Sequence, residues 1–531
     1  MDENRKENLS LLCDFYEFAM SNGFFKSGYK DQIVYFDMFY RTVPDDATYA
    51  IIAGLEQLVE YFENLSFDQS DIDFLRTKGI FDEEYLDYLK NFKFECDVWA
   101  MKEGTIAYPG EPIVVVRGPI IQAQMIETMV LLTINHQSMV ATKAERICYA
   151  ADGRGVTEFG SRRAQGYTGA NLGARAAYIG GCNGSANTLA EKLYGVPALG
   201  TMAHSWVQLF ESEYEAFKTY AECYPNNCLL LVDTYDTLKE GIPNAIKAFD
   251  EVLKPNGYRP KGIRIDSGDI AYLTKEARKM LDEAGYEDAL IMASNSLDEF
   301  TIKDLLSQGA KVDAFGVGER LITSKSSPVF GGVYKLVAIE KEDGEIEAKI
   351  KISDNVSKIT TPGFKQVYRF YDKDNNKAIA DLVTLHDEKI EEGQEYEIFH
   401  PIYTWKRQTL RNYKVRPLLH RIYDKGKLVY DLPDIETIRK YVQEELSTLW
   451  DEMRRLVKPQ EYIVDLSYDL WKLKEELLEK HGKNIRGKRI WNITEMFTGL
   501  QVRLHLWLYK PQLDVHTIVA LFAICIRENP L

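Results

Sequence analysis

The chain lacks an apolar run long enough to cross a bilayer. Its longest candidate, Thr517–Ile526, is about half the length of a membrane-spanning helix, which needs roughly 20 residues. The segment Met1–Glu7 has no apolar core behind a basic region, so we expect no signal peptide. Both absences lead us to expect a cytoplasmic protein.

Cysteine is scarce, and its spacing excludes the common metal sites. The 7 cysteines among 531 residues are scattered, and no two of them have the C-x-x-C spacing of zinc or redox motifs. Cys223 and Cys228 are close in sequence, but no histidine or cysteine accompanies them at ligand spacing. We therefore expect reduced thiols and no metal site built from protein ligands alone.

Positive charge is also in deficit. The sequence has 65 Lys and Arg against 81 Asp and Glu, which gives a net charge of -16. A dedicated nucleic-acid-binding protein normally presents a basic face, so we expect no nucleic-acid partner. A cleft that binds anionic substrates must therefore be basic locally.

The length and the changing texture of the chain predict several regions rather than one core. We predict an N-terminal α/β domain over residues 1–145, a region of alternating strands and helices over 146–340, and a charge-rich segment of mixed strands and helices over 341–480. Residues 481–531 are a separate tail of unknown role, because from Gly482 onward they carry seven Lys and Arg against three Asp and Glu. A helical pattern in this tail lies near Thr517–Ile526.

Outside the middle region, hydrophobic periodicity and turn residues predict individual elements. In the N-terminal part they are a helix over Leu11–Phe25, a strand over Ile33–Tyr40, a strand pair within Gly104–Arg117 that turns at Tyr108-Pro-Gly, and a long helix over Ile120–Ala151. In the third region they are strands over Tyr368–Tyr371 and Lys377–Leu385 and helices over Ile435–Arg455 and Leu466–Lys480.

The middle region repeats one unit, in which a short apolar run is followed by a helical pattern. The runs are Val156–Phe159, Pro197–Thr201, Leu229–Asp233, Gly262–Asp266, Ala289–Ser294 and Ala314–Gly318. The helical patterns are Ala186–Leu193, Ser205–Tyr220, Asp236–Leu253, Ile270–Ala284 and Leu297–Leu306, the last with capping-box spacing at Ser296 and Glu299. Such alternation predicts parallel strands joined by right-handed crossovers. We predict an α/β fold with an irregular β/α barrel, closed or partly closed; an open doubly wound sheet is the alternative.

Polar residues stand at the carboxyl ends of the predicted strands, where the active sites of parallel β/α folds form. After the first strand, Arg162 and Arg163 can offer forked donors to a carboxylate or a phosphate. Phe159 beside them can offer a stacking face to an aromatic ligand. Surface ion pairs for the arginines and a core position for the phenylalanine are the alternatives.

His204 follows the second predicted strand, within Gly200-Thr-Met-Ala-His-Ser. An imidazole can accept a phosphoryl group when a carboxylate orients it, and Glu158 and Asp233 are the candidates for that carboxylate. On the residues alone, a purely structural histidine is an equal alternative.

The third and fourth strand ends are rich in carboxylates. Asp233, Asp236, Asp266 and Asp269, together with Arg264, stand near one rim of the predicted sheet. Carboxylates there can hold ribose hydroxyls or a Mg²⁺ ion that bridges substrate phosphates. Helix capping by Asp236 or Asp269 is the alternative.

The last two strand ends, Ala293-Ser-Asn295-Ser and Phe315-Gly316-Val-Gly318-Glu-Arg320, predict a phosphate-binding loop. Barrels commonly bind phosphate with the loops after their last strands, where backbone N–H groups meet the anion. A Gly-x-Gly sequence alone is weak support, and its place after the last strand strengthens the prediction.

The strings at these strand ends resemble, in order, the nicotinate phosphoribosyltransferase family. They are Glu158-Phe-Gly-Ser-Arg-Arg-Ala-Gln-Gly, Gly200-Thr-Met-Ala-His-Ser, Val232-Asp-Thr-Tyr-Asp, Gly262-Ile-Arg-Ile-Asp-Ser-Gly-Asp and Gly331-Gly-Val-Tyr-Lys-Leu-Val. The resemblance covers about residues 8–480 and departs from the usual aliphatic residue at Ser161. It implies a type II phosphoribosyltransferase that works as a homodimer with shared active sites.

The resemblance also implies roles for particular residues. Tyr16 would reach the base from the neighbouring subunit, Phe159 would stack on it and Arg162 would contact it. Arg264 and Asp266 would hold the pyrophosphate and the ribose, Gly316 and Gly318 would bind the 5′-phosphate, and ATP would phosphorylate His204. The remaining substrate-binding candidates in these motifs are Gly200, Thr201, Asp233, Ser267, Gly268, Ser294 and Asn295.

The implied reaction joins nicotinate to phosphoribosyl pyrophosphate, gives nicotinate mononucleotide and pyrophosphate for NAD biosynthesis and salvage, and uses Mg²⁺ and ATP. A nicotinamide-specific enzyme is the nearest alternative, disfavoured because Ala186 stands where that branch has an aspartate. A non-catalytic nucleotide-sensing paralogue is disfavoured because His204, Arg264 and Asp266 are all present. An aldolase-type barrel would need a lysine at a strand end, and the predicted ends supply none.

Overall fold

The computed structural model describes residues 8–355 and 358–481. The predicted tail from Gly482 onward, with its helical pattern, lies outside these residues. The described residues up to Lys349 and Thr360–Trp471 form one compact unit. A second unit includes residues 350–355, 358–359 and 472–481, the last of these within a helix over residues 468–481. In the described parts, no helix combines the length and the apolar character needed to span a membrane.

The N-terminal part is built from helices around a buried antiparallel sheet. Its helices are α1 (Phe15–Lys26), α2 (Leu55–Asn64), α3 (Gln69–Arg76), α4 (Glu83–Lys90), α5 (Ile120–Met125) and α6 (Glu127–Ala150). Its strands are β1 (Ile33–Tyr40), β2 (Ala50–Ile51), β3 (Asp97–Met101), β4 (Ile106–Ala107) and β5 (Val114–Pro119). The predicted bounds of β1 are confirmed, and the predicted long helix is present as α5 and α6, which meet at Ile126.

The strand pair predicted within Gly104–Arg117 is wrong. Both strands exist, but β4 pairs with β2, and β5 lies between β1 and β3. At the turn, the amide of Gly110 donates to the carbonyl of Tyr40 at 2.8 Å, so the chain is directed onto β1 and does not fold back on β4.

The middle part alternates strands and helices. Its strands are β6 (Gly155–Glu158), β7 (Leu229–Leu231), β8 (Gly262–Ile265), β9 (Leu290–Ser294) and β10 (Ala314–Val317). Its α-helices are α7 (Gly166–Ile179), α8 (Thr188–Tyr194), α9 (His204–Leu209), α10 (Glu213–Cys223), α11 (Ile242–Ala248), α12 (Ile270–Glu283), α13 (Glu299–Ser307) and α14 (Glu319–Ile322). Two π-helical turns, Thr237–Gly241 and Phe249–Leu253, flank α11.

The five strands form a parallel sheet in the order β6-β10-β9-β8-β7, so the predicted parallel α/β arrangement is confirmed. The strand predicted at Pro197–Thr201 is wrong, because that segment makes only one bridge, between Ala198 and Ser185. Ser185 in turn bridges Glu158 at the edge of β6. Within residues 8–355 and 358–481, no ladder joins Ala198 to β7.

Two helices of the middle part differ from the prediction because of their caps. The pattern predicted over Ser205–Tyr220 is split into α9 and α10, and Ser212 caps α10 by accepting a hydrogen bond from the amide of Glu215 at 3.2 Å. The cap of α13 is Asp298, which accepts from the amide of Thr301 at 2.8 Å. The capping box predicted at Ser296 is therefore wrong.

The C-terminal part contains further strands and the helix α15, in addition to the helix over residues 468–481. The strands are β11 (Gly332–Glu340), β12 (Ile346–Ala348), β13 (Lys365–Asp372), β14 (Ala378–Leu385), β15 (Tyr396–Phe399), β16 (Arg407–Leu410), β17 (Tyr413–Pro417), β18 (Leu419–Asp424), β19 (Lys427–Leu428) and β20 (Ile463–Leu466). The helix α15 (Ile435–Ser447) ends earlier than predicted, and a 3-10 turn, Asp451–Arg454, follows it. Residue 466, the predicted start of the last helix, instead ends β20.

The antiparallel sheet around β1 recruits strands from distant parts of the chain, in the order β12-β11-β1-β5-β3-β18-β19. A second sheet has the order β17-β13-β14-β20, and β15 pairs with β16. One large apolar core includes residues of β1, β5, α6, β6, β10 and α15. A smaller core lies around β7 and β8. The N-terminal and C-terminal parts therefore share one sheet and one core.

A buried ionic network joins α15 to β13 and β14. Arg369 is fully buried and donates to both carboxylate oxygens of Asp381, at 2.6 and 2.9 Å. It also donates to a carboxylate oxygen of Glu445 at 3.1 Å and to the carbonyl of Ile106 at 2.8 Å. Removing one member of such a network leaves buried charge without a partner.

We expect Arg369→Met to lower the free energy of unfolding by about 3–5 kcal/mol, because Asp381 and Glu445 lose their buried cation. Urea denaturation of the purified protein measures the change. Arg407→Met is the matched control, since the Arg407–Glu397 pair is 53% exposed on both sides and should contribute less than about 1 kcal/mol. Equal losses for the two variants would contradict the assignment.

Candidate active site

The carboxyl ends of the parallel strands surround a cavity of about 650 Å³. Its wall carries an aromatic face, several cations and short polar side chains. The lining residues are Phe159, Ser161, Arg162, Arg163, Ala186, Leu199, Gly200, Thr201, Met202, Ala203, His204, Arg264, Asp266, Ser294, Asn295, Ser296, Gly316, Gly318, Glu319, Arg320 and Lys325. A volume in this range suits a small-molecule ligand of nucleotide size.

Most of the predicted site residues meet at this cavity. Those on its wall are Phe159, Arg162, Gly200, Thr201, His204, Arg264, Asp266, Ser294, Asn295, Gly316 and Gly318. Asp233, Ser267 and Gly268 do not line it, and Tyr16 lies 45% exposed on α1. The cavity is locally basic in a chain of net charge -16, as anionic ligands require.

His204 is the first residue of α9 and is partly exposed to the cavity. Its Nδ1 lies 3.1 Å from the hydroxyl of Thr234, and its Nε2 lies 4.0 Å from a carboxylate oxygen of Asp266. The ring is thus held between a hydroxyl and a carboxylate, and the nitrogen facing Asp266 is outside normal hydrogen-bond length.

Neither carboxylate predicted to orient His204 contacts it. Glu158 is fully buried and accepts from the hydroxyl of Ser185 at 2.6 Å and from the amide of Gly160. Asp233 accepts from the amide of Asp266 at 2.9 Å and from the hydroxyl of Ser267 at 2.6 Å. Both oxygens of Glu158 are thus engaged by local donors, whereas Asp233 is engaged through Oδ2 and its buried Oδ1 has no hydrogen-bond partner among the described residues. The prediction that Glu158 or Asp233 orients His204 is therefore wrong. The groups beside the His204 ring are the hydroxyl of Thr234 and the carboxylate of Asp266.

Arg264 lies at the end of β8 on the cavity wall. Its Nη1 donates to the hydroxyl of Thr201 at 2.6 Å, and its guanidinium carbon is 6.0 Å from the centre of the Phe159 ring. Burial lowers the pKa of Arg264, and the nearby carboxylate of Asp266 opposes that change. Its Nε is buried and has no partner in the described structure. The group is a partly buried cation on the cavity wall, with donor capacity left for an anionic ligand.

Asp266 is fixed by the neighbouring strand. The hydroxyl of Ser294, on β9, donates to one of its carboxylate oxygens, and its own amide is held by Asp233. The other carboxylate oxygen is the one that lies 4.0 Å from His204. Asp266 therefore connects the histidine to the adjacent strand ends.

Gly316 is required by the Phe159 ring. A Cβ atom added at Gly316 would lie 2.5 Å from Cδ2 of Phe159, far inside van der Waals contact. A Cβ added at Gly318 would lie 3.2 Å from the backbone carbonyl oxygen of Phe159. The two glycines thus let the aromatic face approach β10.

The aspartates Asp236 and Asp269 act as helix caps. Asp236 accepts from the amides of Leu238 and Lys239, and Asp269 accepts from the amide of Tyr272 at 3.0 Å. Neither lines the cavity. The capping alternative for these two residues is therefore confirmed.

Two cations after the glycines also line the cavity: Arg320, the last residue of the predicted phosphate-binding string, and Lys325, which was not predicted. Arg320 contacts the cavity and donates to Asp298, the cap of α13. Lys325 lies 2.7 Å from Glu319, and this hydrogen bond lowers the pKa of the Glu319 carboxyl. The sequence signal was the presence of two cations within ten residues of Gly316, a distance that a loop around a phosphate can cover.

Family models match most of the chain. The N-terminal domain model of nicotinate phosphoribosyltransferase matches residues 11–135, the family model matches residues 155–382, and the C-terminal domain model matches residues 364–474. The matched segments contain every lining residue of the cavity.

Individual proteins agree with the family models. A nicotinate phosphoribosyltransferase of Bacillus subtilis is 44% identical over 478 residues, which cover 90% of this chain and 96% of that protein. The nicotinate phosphoribosyltransferase of Homo sapiens is 31% identical, with coverage of 90% and 98%. The crystal structure of human nicotinic acid phosphoribosyltransferase superimposes with a TM-score of 0.76 at 29% identity, and covers 88% of this chain and 99% of that one. This chain therefore belongs to the nicotinate phosphoribosyltransferase family.

Proposed function

We propose that this protein transfers the phosphoribosyl group of phosphoribosyl pyrophosphate to nicotinate. The products are nicotinate mononucleotide and pyrophosphate, which places the enzyme in NAD biosynthesis and salvage. One observation carries the proposal: a single basic cavity joins the aromatic face of Phe159 to the partly buried cation of Arg264 and the carboxylate of Asp266.

The chemistry divides between positioning and charge stabilisation. As pyrophosphate leaves the anomeric carbon, positive charge develops on the ribose and the pyridine nitrogen attacks that carbon. Holding both substrates in line supplies much of the rate enhancement. Arg264, and the cations Arg320 and Lys325, support the negative charge of the phosphates.

The residues around the base favour a pyridine carboxylate over a pyridine carboxamide as substrate. Phe159 offers the stacking face, and Arg162 beside it offers a cation for the pyridine carboxylate. Ala186 lines the same cavity and carries no carboxylate that would repel nicotinate. Nicotinamide is accordingly the poorer substrate.

Magnesium enters with the substrates. Among residues 8–355 and 358–481, no group of three or more His, Cys, Asp or Glu could hold a metal ion. Asp266 nevertheless presents a carboxylate to the cavity, and this single ligand fits an ion that is already bound by substrate phosphates. Such an ion neutralises phosphate charge when pyrophosphate leaves.

ATP acts through His204. We propose that the imidazole Nε2 accepts the terminal phosphoryl group of ATP, because Nδ1 is held by Thr234 and Nε2 is directed toward Asp266 and the cavity. Hydrolysis of that phosphohistidine couples ATP use to a state with improved substrate binding.

Tyr16 acts in a second copy of the chain. It is exposed on α1 and absent from the wall of the cavity of its own chain, which supports a homodimer with shared sites. We also propose that the parallel sheet is an irregular barrel, extended past β6 by the bridges at Ser185 and Ala198. The absence of a membrane-spanning helix from the described residues is compatible with a cytoplasmic location.

The experiment that tests the proposal is product formation. Purified protein is supplied with nicotinate, phosphoribosyl pyrophosphate, Mg²⁺ and ATP, and nicotinate mononucleotide is measured by chromatography. Accumulation of the mononucleotide with matching release of pyrophosphate is expected. Absence of both products would favour the alternative of a non-catalytic nucleotide-sensing protein.

Gly316→Ala tests the base pocket. The added methyl group should push the Phe159 ring off β10, and a displacement of about 1 Å can cost about 100-fold in kcat/KM. We expect a loss of that order in kcat/KM for nicotinate, measured by steady-state kinetics. Gly169→Ala is the control, since its Cβ meets nothing closer than 3.9 Å, and it should retain full activity. Unchanged kinetics of Gly316→Ala would contradict the stacking role of Phe159.

A further inference from the structure

Arg439 lies on helix α15 and holds the turn that follows α7. Its Nη1 donates to the carbonyls of Tyr178, at 2.5 Å, and Cys182, and its Nη2 donates to the carbonyl of Gly181 at 3.0 Å. Its guanidinium also lies 4.3 Å from the centre of the Tyr178 ring. One side chain thus holds three carbonyl acceptors, one in the last turn of α7 and two just after it.

The turn held by Arg439 leads directly into the segment that pairs with β6. The amide of Asn183 donates to the carbonyl of Val156 at 2.7 Å, and the amide of Glu158 donates to the carbonyl of Gly184 at 3.0 Å. The amide of Ala186 then donates to the carbonyl of Glu158 at 2.8 Å. Residues 183–186 therefore follow β6 up to the cavity, where Ala186 forms part of the wall.

The same segment holds the loop that carries Phe159. Ser185 is fully buried, and its hydroxyl donates to the carboxylate of Glu158 at 2.6 Å. That carboxylate also accepts from the amide of Gly160, the residue that follows Phe159. Glu158 precedes Phe159 and Gly160 follows it. A shift of Ser185 would therefore move the backbone on both sides of Phe159.

We propose that Arg439 is a positioning residue for the base: α15, through Arg439, fixes the segment 183–186 and hence the Glu158–Arg162 loop that recognises nicotinate. Arg439 touches no lining residue of the cavity directly. Arg264 lies on β8 and Asp266 follows that strand, with its amide held by Asp233, so the expected effect is mainly on the base side. The route from Ser185 to Arg264 is longer, through the bridge to Ala198 and the hydroxyl of Thr201. This inference rests on the proposed function.

The test compares Arg439→Met and Arg439→Lys with the wild-type protein. KM for nicotinate should rise about tenfold in Arg439→Met, while KM for phosphoribosyl pyrophosphate stays within about twofold, as expected for a sub-ångström displacement confined to one substrate. Arg439→Lys keeps a cation that can reach part of the carbonyl set, so it should show a smaller rise.

Asp434→Ala provides the control for stability. Asp434 caps α15 by accepting from the amide of Thr437 at 2.7 Å, and it makes no bond to the turn held by Arg439. Its removal should lower the unfolding midpoint without changing KM for nicotinate. An equal rise in KM for Asp434→Ala would overturn the proposal, because it would show a general effect of helix stability.

Two other outcomes are decisive. An Arg439→Met protein with wild-type KM for nicotinate overturns the positioning role. If Arg439→Met does not fold, Arg439→Lys decides: a raised KM for nicotinate alone supports the role, and a wild-type KM overturns it. Failure of the wild-type protein to make nicotinate mononucleotide would instead refute the proposed function.

Discussion

Arg264→Met is expected to lower kcat/KM about 1000-fold, the upper part of the range for the loss of one preorganised charge-stabilising donor. Arg264 is a partly buried cation on the cavity wall, and its Nε has no partner in the described structure. Loss of pyrophosphate builds negative charge that this guanidinium can meet without reorganisation. Steady-state kinetics with both substrates varied measure the effect.

The control for this variant is Arg259→Met. Arg259 lies in the connection before β8, is about half exposed and paired with Asp288, and does not line the cavity. It should retain wild-type kinetics. If Arg264→Met retains more than about a tenth of the wild-type kcat/KM, Arg264 does not stabilise the leaving group.

His204→Ala is expected to abolish the stimulation by ATP while ATP-independent transfer continues. The variant removes the proposed phosphoryl acceptor, but Arg264 and Phe159, which hold the substrates, are untouched. The measurement is mononucleotide formation with and without ATP, together with phosphoprotein analysis after incubation with ATP. The rates of the variant in the two conditions should be equal, and no phosphohistidine should form.

His400→Ala is the matched histidine control. His400 lies in the connection between β15 and β16, where its Nδ1 accepts from the amides of Ile402 and Tyr403. ATP should stimulate this variant as it does the wild-type protein. Normal ATP stimulation of His204→Ala would instead show that the phosphoryl acceptor is another group.

Local sequence patterns predicted the elements that depend on local interactions or that have a strongly alternating apolar pattern. β1 has the predicted bounds, and the helix and strand order of the middle region follows the apolar runs. The failures concern pairing between distant segments. Pro197–Thr201 is apolar enough for a strand, yet its only partner is Ser185, and β4 pairs with β2 instead of β5. Such choices depend on tertiary contacts that a linear pattern does not contain.

The site could be predicted to the level of strand ends but not of individual bonds. Arg264 and Asp266 reach the cavity because the carboxyl ends of parallel strands share one edge, and His204 joins them from the start of α9. The sequence could not show that Glu158 and one oxygen of Asp233 are engaged by local donors. Lys325 was not predicted because it follows the last strand and belongs to no periodic pattern.

Base selectivity tests the central claim most directly. Mononucleotide formation is measured with nicotinate and with nicotinamide, each at the same concentration with phosphoribosyl pyrophosphate, Mg²⁺ and ATP. We expect the nicotinate reaction to be much the faster, because Arg162 offers a cation to the substrate carboxylate and Ala186 places no carboxylate at its position on the cavity wall. Faster product formation from nicotinamide than from nicotinate would contradict the account.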